Sequence, residues 1–299
     1  MEDYVTLGAE AAVRVAAQIC ETTDANIVGY CIGGTLVSMY LAYLARTAER
    51  PVNAVTTFAS LVDFEAPGEI AHFIGANAID FLEAQMEKEG TLSGRLMADA
   101  FTKLRANDLV WQVAVNRYLL GKDAPAFDLL FWNGDATRMP QAMHSYYLRQ
   151  MYIANNLVKP DALQLRDVPL DLRRIENDWY VVASADDHIA PWRSVYRITQ
   201  LAQNAKRFRL ANSGHIAGII NPPGKPKATW LGFDGEQTPA PPTAESWEAA
   251  APKHEGSWWN DWITWLGERS GEDVEARTPG RSEQYPALEA APGRYVLEK

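Results

Sequence analysis

The segment that most constrains the fold of this chain is residues 26–34, which read NIVGYCIGG. The apolar run 26–30 predicts a buried strand, and the run 35–45 predicts a helix that follows at once. Between them, Cys31 lies in a G-x-C-x-G pattern, which is typical of a sharp strand-to-helix turn that carries a nucleophile. Such a turn places the sulfur near a helix N-terminus, where the helix dipole favours the thiolate. The segment therefore predicts a reactive cysteine at the rim of a sheet.

The glycines around Cys31 have predicted steric roles. Because the nucleophile in such a turn is strained, we expect Gly29 and Gly33 to remove clashes between its neighbours and the strand and helix. Gly34 is expected to permit a close approach of backbone or substrate. The alternative interpretation of the pattern is a buried structural cysteine in a tight turn.

Length and charge limit the possible functions. With 299 residues, 47% of them hydrophobic, the chain can bury a substantial core in one large domain or two small ones. A net charge of −10 argues against bulk attraction to nucleic acid. No apolar run is long enough to predict a transmembrane helix. The two cysteines predict reduced thiols in the cytoplasm, with Cys20 as an inert core residue on a helix.

The order of predicted elements indicates an α/β fold. A helix over 8–20, the strand and helix around Cys31, and a strand at 53–60 together predict a parallel sheet. Strand signals return at 179–184 and 206–210, with a helix over 191–204 between them. Residues 221–256 predict a loop because they are rich in proline, glycine and charge, and 257–269 predict a helix.

The long interval between the second and third predicted strands indicates an insertion. Residues 61–173 are far too many for an ordinary connection, and their helices and aromatic loops predict a cap. The predicted organisation is a first part of the core at 1–60, the cap at 61–173, a second part of the core at 174–269, and an irregular tail at 270–299.

A catalytic cysteine needs a histidine to accept its proton and a carboxylate to orient that histidine. In α/β hydrolases these residues follow the nucleophile in the order acid, then histidine. Asp187 follows the predicted strand 179–184, and His215 follows the strand 206–210. Since parallel strands place their carboxyl ends at one edge of a sheet, we expect both residues to meet Cys31 there.

Several alternatives remain open on the sequence. Asp186 could replace Asp187 as the acid, and His188 or His144 could serve the pocket in a secondary role. His72 and His254 are expected on the surface or in loops. The histidines and cysteines show no metal-ligand spacing, so no metal site is predicted.

Long motifs resemble one known family. The stretches GYCIGGT, RANDLVWQVAVNRYLLG, FDLLFWNGDATRMP, DDHIAPW, SGHIAGIINPP, GSWWNDW and APGRYV are similar to those of polyhydroxyalkanoate synthases, nearly along the whole chain. The aromatic residue before Cys31, and the Ile-Gly-Gly-Thr after it, resemble the class I enzymes. Those enzymes act without a second type of subunit and prefer short hydroxyacyl chains.

This resemblance implies an α/β-hydrolase fold in which Cys31 is acylated and Asp187 and His215 are its catalytic partners. The backbone N–H of Ile32 would donate to the oxyanion, together with a donor from an early loop. The implied substrate is a 3-hydroxyacyl-coenzyme A, most simply 3-hydroxybutyryl-coenzyme A, which is polymerised to poly(3-hydroxybutyrate) without a cofactor. The implied partners are the growing polyester, the granule surface, granule-associated proteins and a second copy of the chain in a homodimer.

One departure from the family concerns the region before Cys31. Family members carry several hundred further residues there, which include an N-terminal domain and the first strands of the sheet. We therefore expect a mostly parallel sheet that lacks its first strands and the early oxyanion loop. Two alternative functions follow: a cysteine-dependent hydrolase of the dienelactone hydrolase or thioesterase type, or an inactive truncated fragment that associates with granules.

Two groups of side chains have candidate binding roles. Coenzyme A is anionic, so cationic residues are expected along its path; the candidates are Lys103, Arg105, Arg117, Arg149 and Arg193. A stripe of indoles at helical spacing predicts core packing, with contact to polymer or to a second subunit as the alternative. Its members are Trp258, Trp259, Trp262 and Trp265.

Overall fold

A six-stranded sheet is the centre of the computed structural model of this chain. The structure describes residues 1–94, 96, 111, 114–122, 138–202, 204–224, 227–236, 239–276, 278, 280 and 283–297, with residues 73 and 295 by their backbone alone. The strands in these residues are β1 (Ala25–Tyr30), β2 (Val52–Phe58), β3 (Gln164–Leu165), β4 (Val168–Pro169), β5 (Asp178–Ser184), β6 (Arg207–Ala211), β7 (Thr229–Leu231) and β8 (Lys253–Glu255).

Helices cover the chain between these strands. The described α-helices are α1 (Ala11–Cys20), α2 (Ile32–Leu44), α3 (Ala76–Glu89), α4 (Gln141–Tyr147), α5 (Trp192–Tyr196), α6 (Ile198–Leu201), α7 (Ala244–Ala250) and α8 (Trp259–Gly267). Wider π-helical turns span Tyr4–Glu10, Val115–Leu119 and Leu148–Ile153, and tighter 3-10 turns span Glu69–Phe73, Leu172–Arg174 and Tyr295–Leu297.

The sheet order is β1-β2-β5-β6-β7-β8, and β1, β2, β5 and β6 run parallel to one another. β7 and β8 complete the sheet in antiparallel orientation. Residues Trp179–Ser184 of β5 are all buried, as expected for a strand that is covered on both faces. The predicted fold class is therefore confirmed: this is a mostly parallel α/β sheet with helices.

Three local predictions are wrong. Residues 221–256 are not only loop, because β7, α7 and β8 lie within them. The strand at 26–30, expected to be buried, forms β1 at one end of the sheet order, where most of its residues are half-buried and Val28 is exposed. Cys20, expected in the core, is exposed at the C-terminal end of α1. The predicted domain boundaries remain predictions.

The indole stripe packs into the core. Trp258 and Trp265 are fully buried, while Trp259 and Trp262 are half-buried against the same cluster. The indole N–H of Trp262 donates to Thr56 Oγ1 of β2 at 2.9 Å, so α8 is bonded directly to the sheet. In the described part of the chain, no helix has the length and apolar character needed to cross a bilayer.

Candidate active site

The turn between β1 and α2 presents Cys31. Its backbone adopts φ 53° and ψ −124°, a conformation that L-residues rarely occupy. The Cys31 N–H donates to the Phe58 carbonyl of β2 at 2.9 Å, which fixes the turn to the neighbouring strand. Cys31 is half-buried and is the N-cap residue of α2, as the sequence predicts.

Gly29 and Gly34 make this turn possible. A Cβ at Gly29 would lie 2.6 Å from the Gly34 Cα, and a Cβ at Gly34 would lie 2.1 Å from Ser60 Oγ. Real Cβ atoms do not approach other atoms so closely, so both positions require glycine. The expected role of Gly33 is wrong: nothing lies within 4 Å of the Cβ that an alanine would add there.

Asp187 lies in the turn that follows β5, and it is buried whereas Asp186 is exposed. The backbone N–H groups of Ile189 and Ala190 both donate to Asp187 Oδ1 at 2.8 Å. The second oxygen, Oδ2, lies 2.7 Å from His215 Nδ1. The geometry therefore favours Asp187 over Asp186 as the partner of the histidine.

His215 lies in the loop after β6 and is nine-tenths buried. The Asp186 N–H donates to the Ser213 carbonyl at 3.0 Å, so the two loops that carry the pair are bonded to each other. Since carboxylate oxygens accept, His215 Nδ1 carries the hydrogen, and Nε2 is left as the proton acceptor.

The charge state of His215 is set by opposing effects. Burial lowers the pKa of His215, but hydrogen bonds with Asp187 and Cys31, and the negative charge of both, raise it to about 9. A proton on the imidazole is thus stabilised by its two neighbours. The structure brings Cys31, Asp187 and His215 together, as the sequence predicts.

Three tyrosines lie close enough to Cys31 for its charge to act on them. Burial raises the pKa of Tyr147 well above its ordinary value, and it raises the pKa of Tyr152 to about 12. The negative charge of Cys31 raises both pKa values further. Tyr30 precedes Cys31 and contacts His215. The sequence gives no direct signal for Tyr147 and Tyr152, because they lie more than 100 residues from Cys31 along the chain.

The other predicted site residues occupy different positions. Ile32 is the first residue of α2, where backbone N–H groups lack partners within the helix. His144 is buried on α4, and its Nδ1 finds no hydrogen-bond partner among the described residues. Burial lowers the pKa of His144. His188 is half-buried in the turn that contains Asp187.

Two of the five candidate coenzyme A cations, Arg149 and Arg193, form ion pairs with carboxylates. Arg149 forms ion pairs with Asp80 and Glu83, and its Nη2 atom lies 2.7 and 2.6 Å from them. Arg193 contacts Glu245 and Glu248. Arg117 is exposed. Lys103 and Arg105 lie outside the described residues.

This arrangement supports one kind of chemistry. A thiol on a strained turn, an imidazole that is hydrogen-bonded to it, and a buried carboxylate can together generate a thiolate and hold the proton it releases. The resulting thiolate could attack a carbonyl carbon, and the start of α2 could face the oxyanion that forms.

Comparisons with known proteins identify the family. Residues 2–222 match a family described as alpha/beta hydrolase fold. The chain is 43% identical over 298 residues to a poly(3-hydroxyalkanoate) polymerase of Methylorubrum extorquens, covering 100% of this chain and 48% of that protein. It is 40% identical over 303 residues to the poly(3-hydroxyalkanoate) polymerase subunit PhaC of Cupriavidus necator, covering 100% of this chain and 51% of that protein.

A solved structure from Bacillus anthracis, described as an alpha/beta fold family hydrolase, is also similar. It has a TM-score of 0.40 and 13% sequence identity, over 73% of this chain and 70% of that one. The chain spans about half the length of the curated relatives it matches. The resemblance noted from the sequence motifs is confirmed by relatives that match this chain along its whole length and are named poly(3-hydroxyalkanoate) polymerases. The chain belongs to the α/β-hydrolase fold family.

Proposed function

We propose that this chain is the catalytic region of a polyhydroxyalkanoate synthase, in which Cys31 carries the acyl group. The observation that supports this most directly is the hydrogen bond of 2.7 Å between His215 and Asp187, beside a cysteine on a strained turn. Because the relatives are named poly(3-hydroxyalkanoate) polymerases, we infer a 3-hydroxyacyl group as the group transferred, supplied as a thioester.

The first step loads the enzyme. His215 Nε2 accepts the proton of Cys31, and the thiolate attacks the carbonyl carbon of a 3-hydroxyacyl-coenzyme A, with 3-hydroxybutyryl as the expected acyl group. The Ile32 N–H stabilises the oxyanion of the tetrahedral intermediate. The intermediate collapses with cleavage of the bond to the coenzyme A sulfur, which takes the proton from His215. One thioester replaces another, so the acyl group stays activated.

The second step extends the polymer. The hydroxyl group of a monomer or of the growing chain gives its proton to His215, while its oxygen attacks the Cys31 thioester. An ester bond forms, and Cys31 leaves as a thiolate that takes the proton back. Asp187 stabilises the imidazolium in both steps by accepting from Nδ1. No cofactor is needed, because the reacting bonds are already activated.

The setting of the reaction follows from its product. A polyester chain is insoluble, so we infer a cytoplasmic protein at the surface of polyester granules, with granule-associated proteins as neighbours. A homodimer is the proposed assembly.

The test uses 3-hydroxybutyryl-coenzyme A that carries a radiolabel in the acyl group. We expect the purified chain to retain label after an acid quench and to release one coenzyme A for each acyl group that it binds. Cys31→Ala should retain none, because no sulfur remains to form the thioester. The matched control is Cys20→Ala, which removes the exposed cysteine and should label like the wild type.

Equal labelling of wild type and Cys31→Ala would eliminate the proposal. The products separate the remaining functions. Polyester identifies a synthase, free 3-hydroxybutyrate identifies a hydrolase, and the absence of both label and coenzyme A release identifies an inactive fragment.

A further inference from the structure

Tyr30 contacts His215 at two points. Its hydroxyl donates to the His215 carbonyl oxygen at 3.1 Å. Its ring stacks on the imidazole, with 5.2 Å between the ring centroids and 27° between the planes. The two residues are 185 positions apart in sequence, so the contact joins the end of β1 to the loop after β6.

The hydrogen bond to Asp187 does not by itself prevent the imidazole of His215 from tilting. The hydrogen bonds with Asp187 and Cys31 fix the two nitrogens, but the ring can still tilt about the line that joins them. A second flat surface against the imidazole removes this tilt. Tyr30 supplies that surface, and its hydroxyl holds the backbone from which the imidazole extends.

We propose that Tyr30 is a positioning residue that holds the imidazole of His215 in the plane that directs Nε2 at Cys31. The proposal rests on the proposed function, in which that nitrogen accepts the thiol proton. The contacts of Tyr30 are with the ring and the backbone of His215, so the proposed effect acts through His215.

The stacked ring also favours the protonated imidazole. A cation within about 6 Å of an aromatic centroid is attracted by the electrons of the ring face. His215 is faced by Asp187, Cys31 and Tyr30, and the two acidic groups act in the same direction as the ring. Loss of the Tyr30 ring should therefore lower the pKa of His215.

Tyr30 itself remains a neutral donor. Burial raises the pKa of Tyr30 well above its ordinary value, and the negative charges of Cys31 and Asp187 raise it further. The phenol therefore keeps its hydrogen at neutral pH and donates it to the His215 carbonyl. The proposal therefore gives Tyr30 no part in proton transfer.

The experiment compares Tyr30→Phe, which keeps the ring, with Tyr30→Leu, which removes it. The titration midpoint of His215 is followed by NMR of histidine-labelled protein, with His215→Gln to assign the signal. The rate of Cys31 alkylation by iodoacetamide is measured across the same pH range. We expect Tyr30→Leu to lower the midpoint by about half a pH unit and to slow alkylation near neutral pH several-fold.

Two control variants, Tyr30→Phe and Tyr196→Phe, make the result specific to the loss of the Tyr30 ring. Tyr30→Phe should keep the wild-type titration midpoint of His215, because this variant retains the ring that stacks on the imidazole. Tyr196→Phe removes another buried hydroxyl that donates to a backbone carbonyl, that of Pro241 at 2.6 Å, and should change neither measurement. If Tyr30→Leu does not fold, Tyr30→Met takes its place as an apolar side chain without a ring.

A wild-type midpoint and alkylation rate in the ring-deleted variant would overturn the proposal. Neither measurement uses an acyl-coenzyme A. A failure of the proposed function, seen as label retained by Cys31→Ala, is therefore distinguishable from a failure of the positioning role.

Discussion

The strained backbone of Cys31 is maintained by its neighbours at the scale of single residues. Its φ of 53° costs about 1 to 3 kcal/mol, which the surrounding structure must offset. The bond from its N–H to Phe58 and the tight contact between Gly29 and Gly34 hold the turn closed. The geometry of the nucleophile thus depends on glycines that carry no chemistry themselves.

The two adjacent glycines of α2 provide a matched pair of substitutions. Gly34→Ala places a Cβ 2.1 Å from Ser60 Oγ and 2.5 Å from Ser60 Cβ, so we expect a loss of about 2 to 3 kcal/mol in the free energy of unfolding. Gly33→Ala meets open space and should change stability by less than about 1 kcal/mol, in the stabilising direction, because alanine favours helix. Urea denaturation of both variants measures the difference, and equal losses would contradict this account.

Sequence reasoning predicted which residues meet at the candidate site but not the residues that support them. Cys31, Asp187 and His215 were predictable because each follows a strand in a recognisable pattern. The open space beside Gly33 was not predictable, because it depends on which neighbouring residues approach the turn, as Ser60 does at Gly34. Tyr30 was visible as an aromatic residue before the cysteine, but its stack on His215 depends on the way β1 and β6 are placed in the sheet.

At the scale of elements, α8 is attached to the sheet by a buried charge. Asp261 Oδ2 accepts from Tyr180 at 2.6 Å and from Arg209 Nε at 2.8 Å, and Arg209 is fully buried between the rings of Tyr180 and Trp230. Asp261 therefore pairs with the Nε group of the buried arginine and bonds α8 to β5 and β6, while Arg209 Nη2 has no hydrogen-bond partner among the described residues.

Removal of Asp261 leaves that arginine without its anion. We expect Asp261→Ala to lower the free energy of unfolding by about 3 to 5 kcal/mol, the usual cost of an uncompensated buried charge. The matched control is Glu255→Ala, which breaks the exposed pair with Lys253 and should have little effect. Chemical denaturation distinguishes the two, and a small loss for Asp261→Ala would show that water reaches Arg209.

The strands that the sequence predicted are the longer ones, β1, β2, β5 and β6, which have five to seven residues each. β5 contains the apolar run Trp179–Ala183 and β6 alternates arginines with apolar residues, whereas β7 and β8 have three residues each and lie in a segment rich in proline and glycine. Strands that short carry almost no periodic signal of their own. Their place in the sheet comes from antiparallel pairing with β6 and with each other, which is a tertiary effect.

At the scale of the whole molecule, the charge of His215 links stability to pH. The pKa of His215 is raised from 6.5 to about 9 in the folded protein, so the folded state holds the proton more tightly than the unfolded state. This contribution is complete below about pH 6.5 and is lost as the pH rises through 9. Its full size is about 3 kcal/mol by linkage.

The free energy of unfolding of wild type, minus that of His215→Gln, should therefore fall between pH 6.5 and 9. Guanidinium denaturation at several pH values measures this difference. Asp187→Asn serves as the comparison, since without the carboxylate the pH-dependent part should shrink. A difference that stays level or grows over this range would refute the link.

The residues of the candidate site are translated at different times. Its nucleophile leaves the ribosome 184 residues ahead of its base, an interval of roughly ten to forty seconds at ordinary translation rates. Until the loop after β6 has emerged and joined the growing sheet, the stacking and hydrogen bonding that Tyr30 gives to His215 do not exist. A nascent chain thus carries the Cys31 thiol without His215 beside it, so the acylation proposed above is disfavoured on the translating ribosome by the order in which the parts are made.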